Sequence, residues 1–117
     1  MQGKRLQRVN QLIKEELSQL LQRELKDPRL GFVSVTEVET TKDLRGAKVY
    51  VSVLGTDAEW AASLAALESA KGFIRNWLRD HLDLRATPTL DFRPDRSMQH
   101  AANIQVLLKQ LGSAREE

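Results

Sequence analysis

The segment Ser69-Ala70-Lys71-Gly72-Phe73-Ile74-Arg75 sets a glycine inside what otherwise reads as one long helix. Glycine costs roughly 1 kcal/mol against alanine in a helix interior, so a backbone reason for it is expected. The stretch therefore reads as two helices meeting at a bend. On the near side, Thr56-Asp57-Ala58-Glu59 has the spacing of a capping box, and Trp60, Leu64 and Leu67 form an apolar face. Ala61, Ala62, Ala65, Ala66 and Ala70 allow close packing on a sheet. On the far side, Phe73, Ile74, Trp77, Leu78 and Leu82 resume the pattern. Beside them Lys71, Arg75 and Arg79 recur every four residues, which stacks three cations on one helical face with no acid interleaved.

The flanking segments complete the architecture. Leu6, Val9, Ile13, Leu17, Leu20, Leu21 and Leu25 recur at helical spacing. Asp27-Pro28 stops that helix, because the residue before a proline is pushed out of the helical region. Phe32 to Thr41 is rich in Val and Thr and reads as a strand; Thr41 to Gly46 is a polar loop. Ala47, Val49, Val51 and Val53 then alternate with Lys48, Tyr50 and Ser52, the mark of a half-buried strand, and the two strands form an antiparallel hairpin. Pro88 opens a short strand with Leu90 and Phe92 on one face. After Pro94, Ile104, Leu107, Leu108 and Leu111 predict a last helix that starts near Asp95 or Ser97. The order α-β-β-α-α-β-α gives an α+β sandwich with a three-stranded sheet.

At 117 residues one domain is expected, able to bury roughly 65% of its unfolded-chain surface. No apolar run is long enough for a transmembrane span, and Met1 to Arg5 lacks the apolar core of a signal peptide, so a cytoplasmic protein is expected. Cysteine is absent, which removes disulfides and thiolate metal sites. Net charge is only +2, from 18 basic and 16 acidic residues, but it is unevenly spread. Residues 1–14 hold Lys4, Arg5, Arg8 and Lys14 with no acid, and residues 69–79 hold three cations with none. Local positive patches on a nearly neutral chain favour a structured anionic partner.

Catalytic patterns are weak. His81 and His100 lack metal-ligand spacing, and His81 reads as a solvated or capping residue near a helix end. Asp91 and Asp95 read as turn and cap carboxylates. There is no P-loop, dinucleotide glycine pattern or nucleophile elbow, so no enzyme and no cofactor, metal or small-molecule substrate is expected. The cations say more. Arginine suits phosphate through its bidentate fork, so Lys71, Arg75 and Arg79 are candidate phosphate contacts. Arg5 and Arg8 on the first helix, with Arg45 and Lys48 at the hairpin, could extend the patch. Trp77 is expected in the core, and few aromatics fall on strand faces, so base stacking is not the expected mode. Three alternatives remain: a domain that binds a protein partner through the face of the first helix or the sheet, an RNA-processing enzyme, and a general binder of single-stranded RNA.

Four segments carry a resemblance: Gln22 to Gly31 (QRELKDPRLG), Asp43 to Ser52 (DLRGAKVYVS), Gly72 to Arg75 (GFIR), and Leu84 to Phe92 (LRATPTLDF) followed by Asp95 and Ser97. In this order, over about residues 4–111, they resemble bacterial ribosome-binding factor A. That resemblance implies a KH-like (type II) αββααβ fold with a C-terminal helix. It also implies an Ala-x-Gly kink between helices, here Ala70-Lys71-Gly72, in place of the phosphate-clamping glycine loop. It further implies a non-enzymatic assembly factor that binds the free or immature small (30S) ribosomal subunit. Such a factor promotes late maturation of 16S rRNA, including 5′-end processing near the 5′-terminal helix, and supports growth in the cold. A monomer is the default expectation.

Overall fold

The structure, a computed structural model, describes residues 2–84 and 86–116, without the side chains of residues 2, 98–102 and 113–116. Arg85 of the fourth motif and the His100 side chain lie outside the described residues. Helix α1 spans Gln2–Arg23, strand β1 Phe32–Thr40, β2 Gly46–Leu54, α2 Asp57–Ser69, α3 Lys71–His81, β3 Thr89–Pro94 and α4 Ser97–Glu116. The sheet order is β1-β2-β3. Strand β2 pairs antiparallel with β1 and parallel with β3. A parallel neighbour needs a long crossover, and the α2–α3 pair supplies it.

The helices cover one face of the sheet. Val9, Ile13, Leu17 and Leu20 of α1, Leu67 of α2 and Ile74 and Leu78 of α3 meet Val35, Val38, Ala47, Val49, Val51 and Leu90 in one core. The alternating residues Lys48, Tyr50 and Ser52 face the other side. Strand β1 keeps its valines inward only by a bulge between Val35 and Glu37. Val35 and Val38 are three residues apart, and strict alternation would put them on opposite faces. The extra residue, Thr36, restores the register, and both valines are buried. The Thr36 hydroxyl donates to Asp95 Oδ2 at 2.7 Å, which ties the bulge to the residue following β3.

Local polar contacts fix the helix ends. The expected capping box at α2 is present: Glu59 N–H donates to Thr56 Oγ1 at 3.2 Å and Thr56 N–H to Glu59 Oε1 at 3.1 Å. Past α1, Arg29 N–H donates to Asp27 Oδ1, closing an Asx turn, and Gly31 N–H donates to the buried Ser63 hydroxyl at 3.2 Å. The bend between α2 and α3 falls on one residue, Ala70, at φ −92° and ψ 3°. Its N–H still donates to the Ala66 carbonyl and its own carbonyl accepts from Ile74 N–H. Gly72 lies two residues later, inside α3, and a Cβ placed there meets no atom within 4 Å. Its φ is not in the left-handed region. The expected backbone reason for this glycine is therefore not in the fold: Ala70 makes the bend.

Helix α4 begins at Ser97, within the expected start, with Asp95 Oδ1 accepting from Ser97 N–H at 3.0 Å. Its apolar stripe does not enter the core. Residues 103–112 are exposed throughout, including Ile104, Leu107, Leu108 and Leu111.

Candidate nucleic-acid interface

Helix α3 presents three different faces. Ile74 and Leu78 are fully buried and anchor it on the sheet. Residues two apart on an α-helix point roughly 160° from each other, so Phe73, Trp77 and His81 fall on one flank and Lys71, Arg75 and Arg79 on the opposite one. The acid-free stripe read from sequence needs correcting. Lys71 Nζ pairs with Glu68 at 2.6 Å, and Arg79 Nε lies 3.5 Å from the neighbouring Asp80. Both acids lie just outside the window of the stripe, one turn before Lys71 and one residue after Arg79. Arg75 keeps the expected character: it has no carboxylate partner among the described residues, and one Nη2–H donates to the Thr87 carbonyl at 3.1 Å. Arg75, Asn76, Arg79 and Thr87 line a cleft of about 140 Å³. That is below the roughly 300 Å³ at which small-molecule sites begin, and fits a single phosphate group better than a whole nucleotide.

The fold gathers further cations at the same end of the sheet. Asn10 Oδ1 accepts from Thr40 N–H at 2.9 Å and from the Thr40 hydroxyl, so the third turn of α1 lies beside the end of β1. Arg5 and Arg8, in the turns before Asn10, are exposed and have no hydrogen-bond or ion-pair partner among the described residues. Thr89 N–H donates to the Arg45 carbonyl at 2.8 Å, which sets the hairpin loop against the segment that Arg75 grips. The Arg45 side chain is 87% exposed, and its nearest carboxylate, on Asp43, is 3.9 Å away. Asp43 has its own partners: the Thr41 hydroxyl and the Arg45 backbone N–H hold its carboxyl below the ordinary value. Lys48 is placed apart from this group. It projects from the sheet face opposite the helices, where the register sets it between Glu39 and Asp91.

The remaining candidates resolve into structure. Asp91 pairs with Arg93 at 2.9 Å. Asp95 accepts from Thr36 and Ser97, which lowers its pKa. His81 is the last residue of α3, and its Nδ1 lies 2.9 Å from the Trp77 carbonyl, so that nitrogen carries the proton and donates. Trp77, expected in the core, is only half-buried, and its indole N–H donates to Glu16 Oε1 of α1 at 3.1 Å. No group of three or more metal-ligating side chains occurs among the described residues. No described helix is long and apolar enough to cross a membrane.

A three-stranded sheet covered on one face, in αββααβ order with a one-residue interhelical break and cations gathered at one end, defines a KH-like α+β domain. Residues 5–108 match the ribosome-binding factor A family. Ribosome-binding factor A of Thermomicrobium roseum is 48% identical over 109 residues, covering 93% of this chain and 84% of that protein. That of Halothermothrix orenii is 43% identical over 116 residues, 99% of this chain and 95% of the relative. The chain belongs to the ribosome-binding factor A family. Solved structures agree: the Thermus thermophilus factor superposes with a TM-score of 0.70 at 28% identity, over 79% of this chain and 97% of that one. A Thermus thermophilus homology model fitted into the cryo-EM map of a 30S complex gives 0.63 at 30% identity, over 74% of this chain and 91% of that one.

Proposed function

We propose that this protein is a non-enzymatic assembly factor that docks its cationic end on folded 16S rRNA in the free or immature small ribosomal subunit. Arg75 and Arg79 hold phosphate at the Thr87 cleft, Arg5, Arg8 and Arg45 extend the contact, and Lys71 and Lys48 contribute less because acids compete for them. Binding one RNA conformer in preference to others shifts the population toward it. In this reading the favoured conformer lies near the 5′-terminal helix and assists late 5′-end processing, with most value in the cold, in the cytoplasm and as a monomer. The observation that carries the reading is the convergence of Arg5, Arg8, Arg45 and Arg75 at one end of the sheet, in a family whose Thermus member has been fitted into a 30S complex.

The test is co-sedimentation of the purified protein with small subunits, large subunits and whole ribosomes across a salt series. Selective binding to small subunits is expected. With about five phosphate contacts, affinity should fall by roughly two to three orders of magnitude between 50 and 200 mM salt. Equal binding to every particle, or binding indifferent to salt, would overturn the proposal and point to a protein partner.

A further inference from the structure

The core accounts for only part of one further feature of α3. Phe73, Trp77 and His81 form a ladder of rings along its outer flank. The His81 imidazole lies on the Trp77 indole at 3.8 Å between centroids and 11° between planes, and Phe73 follows at 6.5 Å and 39°. Burial explains only part of this set: Trp77 packs one edge against the core, whereas Phe73 is 51% exposed and His81 is exposed. They are nevertheless held in place: Glu16 fixes the indole and the Trp77 carbonyl fixes the imidazole. A flat ring held rigidly at the surface loses little entropy when another flat ring stacks on it.

We propose that this ladder is a stacking shelf for an unpaired nucleobase, with the exposed face of His81 as its outer surface. Charge favours RNA over a protein partner as the occupant. Arg75 and Arg79 lie on the other flank of the same helix, and Arg5 and Arg8 on the adjoining α1 have no partner among the described residues. A single strand crossing α3 would lay its phosphates on the arginines and its base on the rings. Gly72 and Asn76, on the crest between the two flanks, are small enough to let it pass, and the crest's one acid, Asp80, is turned to Arg79 at 3.5 Å. The proposal rests on the ribosomal RNA reading and adds a mode of recognition to it, one that tolerates any base because each has a π-face.

The test uses the full chain and two RNA probes: a single-stranded adenosine decamer and an abasic ribose-phosphate decamer of equal length. The Trp77 indole and His81 ring protons are followed by NMR, with Trp77→Phe to assign the indole signal. The adenosine strand should move both sets of protons upfield by ring current, and the abasic strand should move neither. His81→Ala should weaken adenosine-strand binding about five- to hundredfold and leave the abasic strand unaffected, and His81→Tyr should restore it. Equal affinity for the two strands, unmoved ring protons or a silent His81→Ala would overturn the shelf. Small-subunit co-sedimentation of the same variants separates the two readings. Wild-type protein that sediments with small subunits while the ring signals ignore RNA leaves the rRNA reading standing without the shelf. Loss of particle binding in Phe73→Ala and His81→Ala, with no response to either strand, would assign the ladder to a ribosomal protein.

Discussion

Gly72→Ala is the substitution on which sequence pattern and tertiary structure disagree. A glycine beside a helix break suggests that alanine would strain the junction. In the fold, Gly72 is the second residue of α3, its φ is ordinary and a Cβ meets no atom within 4 Å. Replacing glycine by alanine at a compatible site stabilises by about 0.4–1 kcal/mol, chiefly by narrowing the unfolded ensemble. For a domain of this size that raises the unfolding midpoint by roughly 2–4 °C. Thermal unfolding followed by far-UV circular dichroism, with calorimetry to check two-state behaviour, measures it directly. A midpoint lowered by the substitution, or a loss of helical signal, would refute the reasoning and return the bend to the glycine. Small-subunit binding by the same variant adds a second readout. Higher stability combined with weaker binding would mean that the bare crest serves the close approach of a partner.

Three further outcomes are expected. Arg75→Ala/Arg79→Ala should lower the salt slope of small-subunit binding by about 1.4–1.8, two phosphate contacts' worth, and full affinity in this variant would remove the cleft from the interface. Thr56→Ala removes the hydroxyl that accepts from Glu59 N–H, leaves the Thr56 backbone N–H to Glu59 Oε1 bond in place, and should cost about 1 kcal/mol in denaturant unfolding, with no effect on binding because α2 starts at the far end of the sheet; no stability change would show that the hydroxyl cap is dispensable. Asp27, held low first by its hydrogen bonds to Arg29, Asp43, held low first by Thr41, and Asp95, held low first by Thr36, all have folded values below the unfolded one. Their contribution is therefore fully present above the unfolded value near about 3.9 and is lost as pH falls through the lower folded values. Stability should decline with a shared component below about pH 4, and Asp95→Asn should remove part of that decline.

Much of the fold was legible in the chain because local patterns and packing agree. The period of Leu6 to Leu25 placed α1, the alternation from Ala47 to Val53 placed the central strand, and Thr56 with Glu59 marked the start of α2. These signals need only neighbours in sequence. Phe73, Trp77 and His81 also share one flank by spacing alone, but spacing does not say which flank meets the core. That depended on how α3 docks on the sheet, where Ile74 and Leu78 took the buried positions and left the rings half-exposed.

The sequence by itself determined the elements, their order and the identity of the cations. Tertiary structure decided which of them lie at the same end of the sheet. The bulge at Thr36 was invisible to an alternation rule, since its purpose is to bring Val35 and Val38 onto one face against α1. The apolar stripe of α4 reads like a core helix, yet residues 103–112 stay exposed because the single open layer of helices is already filled by α1, α2 and α3. Arg5, Arg45 and Arg75 are separated by tens of residues and come to one end of the sheet only because α1, the hairpin loop and the α3–β3 connection converge where the strands begin and end. Charge is carried by single residues, but an electrostatic surface is a property of distances in space, and those are set by the fold.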